Sequence, residues 1–144
     1  MRHKVLIIGF LIVMSCCCKA QASETINMDG LAMVESSGES SAVSFLGAEY
    51  GRGLFQISEI ALRDYGMYHS RQYEPEDLFD PVINYEIATW MVDYRIKQLL
   101  KHYGHEITVE NVLQVYNIGI GSFNRGERAY GYVQKYMAQV KDGK

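Results

Sequence analysis

Apolar positions in this chain recur mostly with helical spacing, and the polar residues between them supply the starts and stops. Asn27 or Asp29 can open a first helix through Leu31, Val34 and Glu35, with Gly38 as its stop. Ser58 caps a second through Ile60, Ala61, Leu62 and Tyr65, ending near Gly66. Asp80 and Pro81 fit the N-cap and first-turn positions of a third. In that helix Ile83, Ile87, Trp90 and Tyr94 share one face, Lys97 and Lys101 suit the negative end, and Gly104 stops it. Thr108 caps a fourth helix carrying Val112, Val115 and Tyr116. A fifth starts near Arg128, with Val133, Met137 and Val140 on one side. Between the first two helices, Ser41 to Ser58 breaks the period with glycines and irregular apolar residues, and is expected to form a loop or short hairpin. The pattern predicts a mainly α domain with one irregular or hairpin segment.

The amino terminus follows another rule. "MRHK" precedes the uncharged run Val5 to Met14, which is too short to span a bilayer as a stable helix and reads as an export signal over residues 1–22. Two cleavage readings stand. "AQA" before Ser23 fits a small-x-small site, and "VMSC" resembles a lipoprotein box that would leave Cys16 lipid-bearing. Residues 23–144 are then the folded domain, exported to the periplasm or cell envelope. All three cysteines, Cys16 to Cys18, lie in the signal segment, so the domain has no disulfide, thiol nucleophile or cysteine metal site. Losing Arg2, Lys4 and Lys19 moves the net charge from −3 to −6. No basic run remains, which argues against nucleic acid or an anionic membrane as partner; membrane attachment would come only through Cys16. The domain is expected to need no cofactor. His102 and His105 are loosely metal-spaced, but Gly104 interrupts them and no third ligand stands nearby, so no metal is expected.

The candidate chemistry centres on "AMVESSGES", Ala32 to Ser40. Glu35 sits at a helix end, where the dipole disfavours an anion, and on a face expected to meet the core. Both effects raise a carboxyl pKa, and a carboxyl protonated near neutral pH can donate a proton to a leaving oxygen. Taken alone, such a glutamate is more often a solvated helix-end residue. Likewise Tyr116 and Tyr132 are two of eleven tyrosines, most of which pack; Asn117 could be a helix cap and Ser44 a turn residue.

Four segments together change that weighting. "ESSGESSAVSFLGAEYGRGLFQIS" resembles the glutamate-serine, serine and Gly-Leu-Met-Gln motif of soluble lytic transglycosylases and the related goose-type lysozymes. "LFDPVINYEIA", "VYNIG" and "GYVQKYMA" are similar to later motifs of that family and occur in its order. The resemblance implies a compact lysozyme-like helical fold with a groove for peptidoglycan glycan strands, and Glu35 as the single catalytic acid and base. It implies Ser44 and Gln56 beside the acid, Tyr116 and Asn117 on the groove wall, and the Tyr132 hydroxyl near Glu35. Phe55, where the family has methionine, is expected to offer a sugar an apolar or stacking contact. Val115, Ile118 and Ile120 replace smaller residues or proline and crowd the groove wall, and the run from Ser44 to Gln56 is longer than usual. Three functions remain open: a lytic transglycosylase, a hydrolytic muramidase, and a glycan-binding component that does not cut. At the family level, such enzymes accompany secretion, pilus, conjugation or phage-entry machinery.

Overall fold

A computed structural model describes residues 25–45, 47 and 49–142. The signal segment, Cys16 included, lies outside the described residues. In chain order the elements are α1 (Met28–Ser36), β1 (Val43–Phe45), β2 (Tyr50–Arg52), β3 (Ile57–Ser58), α2 (Glu59–His69), a 3-10 turn (Pro75–Phe79), α3 (Pro81–Trp90), a π turn (Met91–Arg95), α4 (Ile96–His102), α5 (Val109–Asn124) and α6 (Tyr130–Asp142). The strands form one antiparallel sheet in the order β1-β2-β3, with Ser44 opposite Gly51 and Gly51 opposite Ser58. The helices enclose a core that includes Leu31, Leu62, Leu78, Ile87, Leu100 and Leu113, all at most 3% exposed.

The caps explain most helix starts. Asn27 Oδ1 accepts from Gly30 N, Ser58 Oγ from Ala61 N, Asp80 Oδ1 from Val82 N, and Thr108 Oγ1 from Asn111 N. α1 ends at Ser36, two residues before Gly38: the cap Ser37 adopts the left-handed conformation at φ 56°, and its N–H bonds the Met33 carbonyl. α2 runs past Gly66 to His69.

Two expected faces are corrected. From Pro81 to His102 the helix is continuous, but Ile96 N–H bonds Met91 O, five residues back, through the π turn. That wider turn rotates the helical face of α4 relative to that of α3. The buried line becomes Ile87, Ala88, Val92, Ile96 and Leu100, while Tyr94 turns out to 39% exposure. α6 begins two residues later than expected, and Tyr136, not Met137, joins Val133 in the core. The Tyr136 hydroxyl accepts the Asn27 N–H at 2.7 Å, which joins the start of α1 to α6. Gly30 permits this close packing, because a Cβ there would meet Val140 Cγ2 at 2.8 Å. The same packing carries the far end of α1 to the α6 residue Tyr132.

Candidate active site

Glu35 lies in the last turn of α1, half-buried, with no basic residue in that turn. Burial pushes its carboxyl from 4.5 up to about 7, and a hydrogen bond from the Tyr132 hydroxyl to Oε1 offsets part of that rise. The Tyr132 hydroxyl is itself held well above the ordinary phenol range, first by burial and then by the Glu35 charge, so it stays a neutral donor. Tyr116 is likewise held well above the ordinary phenol range, first by burial and then by the Glu35 charge. Its hydroxyl donates to the Phe55 carbonyl at 2.7 Å. Glu35 thus faces two phenols from two other helices, and both resist ionisation. A proton placed on this carboxyl near neutral pH has no nearby base of this kind to take it.

A network of backbone bonds fixes the turn opposite. Ser36 Oγ donates to the Leu54 carbonyl at 2.8 Å, so the residue beside the acid ties α1 to the segment between β2 and β3. Asn84 is fully buried on α3 and clamps that segment from below. Its Nδ2 donates to Arg52 O at 2.9 Å and Leu78 O at 2.8 Å, and its Oδ1 accepts from Phe55 N at 2.9 Å. Gly53 lies between, at φ 76°, where a Cβ would stand 2.2 Å from the Leu78 oxygen. The turn therefore needs glycine for both conformation and space.

Gln56 is also held by this turn, at φ 49° and 7% exposed. Its Nε2 donates to Gly53 O at 2.9 Å and Ala42 O at 3.2 Å, while Oε1 accepts from Ser44 Oγ at 2.5 Å. The longer run from Ser44 to Gln56 leaves this pairing intact. Gln56, Tyr116 and Asn117 line a cavity of about 370 Å³ between α2, the π turn, α4 and α5. Ser44 is exposed on β1 and does not line it. Asn117 is exposed one half-turn before α5 unwinds at Gly119 (φ 74°, ψ 156°), and Val115, Ile118 and Ile120 form the adjoining wall.

Phe55 requires correction. Asn84 holds its N–H, and its ring turns inward, 2% exposed, edge-on to Tyr85 at 5.7 Å between centroids. No ring face is left for a sugar; the residue supports the site through its carbonyl, which holds Tyr116. Sequence reasoning also passed over Ser36 and Asn84. Asn84 had a signal: it is a polar residue on the helix face shared with Ile87 and Ala88, and buried amides at such positions are usually fully hydrogen-bonded.

The family model of the transglycosylase SLT domain matches residues 18–138, which include every residue of this site. The chain belongs to the transglycosylase SLT family. No curated protein and no solved structure matches it. Membership carries peptidoglycan as the bound substrate and a lytic transglycosylase type of wall degradation.

Proposed function

We propose that this SLT domain cuts the β-1,4 bond between N-acetylmuramic acid and N-acetylglucosamine, with Glu35 as sole acid and base, leaving 1,6-anhydromuramic ends. The observation that carries this reading is the half-buried Glu35 carboxyl, raised to about 7 and hydrogen-bonded by Tyr132. Near neutral pH a large fraction is protonated, and it can donate to the bridging oxygen as the muramic C1–O4 bond breaks. The bond's electrons stay on O4, which takes the proton. The substrate's acetamido oxygen shields the positive charge at C1. The Glu35 carboxylate then takes the proton of the muramic 6-hydroxyl as O6 bonds to C1. Atoms balance without water, and no cofactor takes part.

Glycosidases that use water as acceptor generally pair two carboxylates. The acids nearest in sequence are occupied elsewhere. Glu39 Oε1 accepts from Ser41 Oγ at 2.7 Å, Glu49 Oε2 holds the Ile60 N–H at 3.0 Å, and Glu59 pairs with Arg52 at 3.0 Å. This favours a one-carboxylate route. The reading places the domain outside the cytoplasm, exported by residues 1–22, where it serves local cell-wall remodelling.

Mass spectrometry of purified digests, with a reducing-end assay, tests the reading. Primary fragments should be one water lighter than hydrolysed ones and lack a reducing muramic end. Glu35→Gln should lower the rate at least ~100-fold. Ordinary reducing ends as the main primary product would overturn it in favour of a hydrolytic muramidase.

A further inference from the structure

Two successive contacts join α2 to the π turn. At the wall of the cavity that Gln56 and Tyr116 line, Asp64 Oδ2 accepts from Arg95 Nε at 2.5 Å. One helical turn further along α2, Tyr68 meets Tyr94, the neighbour of Arg95, with ring centroids 5.1 Å apart. The seam is therefore continuous from the cavity to this aromatic pair. Tyr68 is 55% exposed and Tyr94 39%. Both rings lean on Trp90, at 5.5 and 6.3 Å between centroids, and Trp90 stands edge-on to the buried Tyr65 at 5.2 Å. The exposed pair thus rests on a base anchored in the core. The π turn that presents Tyr94 is a backbone distortion found disproportionately at functional sites.

The chemistry of the pair selects its ligand. A cation would need a space between the rings, but Tyr68, Trp90 and Tyr94 lie 5.1 to 6.3 Å from one another and fill that space themselves. A stable protein partner would cover roughly 800 Å² of this surface, whereas two tyrosines offer at most about 150–250 Å² each. A sugar fits. Its C–H face is apolar and its hydroxyl edge stays hydrated, which matches a surface phenol with an apolar ring and a wet tip. A strand leaving the cavity along the seam meets these rings next. We propose that Tyr68 and Tyr94 form a distal glycan subsite, outside the cavity, that stacks one further sugar and makes the domain select longer strands over short ones. This deepens the proposed function and rests on a glycan strand occupying the cavity beside Gln56 and Tyr116. Trp90 is a positioning residue that holds both rings in place before the strand arrives, which lowers the entropy cost of binding.

The test is equilibrium binding in the Glu35→Gln background, where ligands stay intact, with peptide-free glycan oligomers of increasing length. Affinity should rise with length and include a step of about tenfold where the strand first reaches the tyrosines. Tyr68→Ala with Tyr94→Ala should remove that step and keep the rise among shorter oligomers. Tyr68→Ala alone, at the more exposed ring, should lower the step at least about threefold, so the result does not depend on the double variant folding. Tyr68→Phe with Tyr94→Phe keeps both ring faces and should retain the step. A step that survives the alanine variants overturns the proposal, as does an equal loss at every length or loss of the step in the phenylalanine pair. Affinity that stops rising in the parent protein once the cavity is filled sinks the distal subsite alone. Absence of binding at every length sinks the underlying reading with it.

Discussion

Replacing Glu35 with glutamine should stabilise the protein, and the gain should depend on pH in one direction. Burial raises the folded carboxyl from 4.5 to about 7, so between those values the native state holds a proton that the unfolded state has lost. Stability from this group is fully present below about pH 4.5 and falls as pH rises through 7. At 1.36 kcal/mol per pH unit the full loss is about 3 kcal/mol, and about 2–3 kcal/mol allowing for the residue's partial solvent contact. Glutamine resembles the protonated acid in shape and can still accept from Tyr132, yet it cannot ionise. Glu35→Gln should therefore match the wild type near pH 4 and exceed it by about 2–3 kcal/mol at pH 8. For a domain of this size that is roughly 10 °C in Tm. Urea melts of both proteins across pH 4–8 measure it, and other titrating groups cancel in the difference. A difference that stays within about 0.5 kcal/mol at every pH would show that Glu35 is solvated, and would remove the physical basis for its proposed role as acid.

Three further outcomes are expected. Tyr132→Phe removes the one hydrogen bond that lowers the Glu35 pKa, so the alkaline limb of the activity profile should begin near pH 7 in the wild type and move to higher pH in the variant; a limb that moves down or stays would contradict the contact. Asn84→Ala breaks three hydrogen bonds, two of them buried, and leaves Phe55 N–H without its partner, which should cost about 3–5 kcal/mol by denaturant unfolding, against under 1 kcal/mol if the amide were incidental. Cys16→Ser should release the protein from membranes if Cys16 carries lipid, whereas a mature form beginning at Ser23 on N-terminal sequencing would exclude the anchor.

The helix starts were legible because each rests on a local rule. Asn27, Ser58, Asp80 and Thr108 bond amides within three residues of themselves, and such contacts depend on little beyond adjacent sequence. The π turn left no such mark. Met91 to Arg95 would pass as ordinary helix, so the exposure of Tyr94 and the burial of Ile96 and Leu100 were not readable from periodicity. The approach of Tyr132 to Glu35 spans 97 residues of chain. No spacing rule gives it, and only the resemblance to the family supplied it. Phe55 shows the opposite limit. The motif placed it at the site, but the direction of its ring is set by Asn84, 29 residues away.

An acid kept protonated at a helix end strains the site in two ways, since both burial and the helix dipole oppose its ionised form. Such a group persists only where its surroundings cannot relax and let water in. Here the restraint comes from side chains bonded to backbone carbonyls. Ser36 takes Leu54 O, Tyr116 takes Phe55 O, and Asn84 takes Arg52 O and Leu78 O. All but the Leu78 bond join a helix to the Arg52–Gln56 turn that faces the acid. The glutamate-serine pair, the glycine-rich run, the asparagine of α3 and the tyrosine of α5 are distant in sequence yet converge on one short piece of main chain. That turn contributes little core of its own apart from Phe55. Its contribution is rigidity opposite Glu35, and the lost stability predicted at alkaline pH measures how far that rigidity holds the carboxyl away from its relaxed, solvated state.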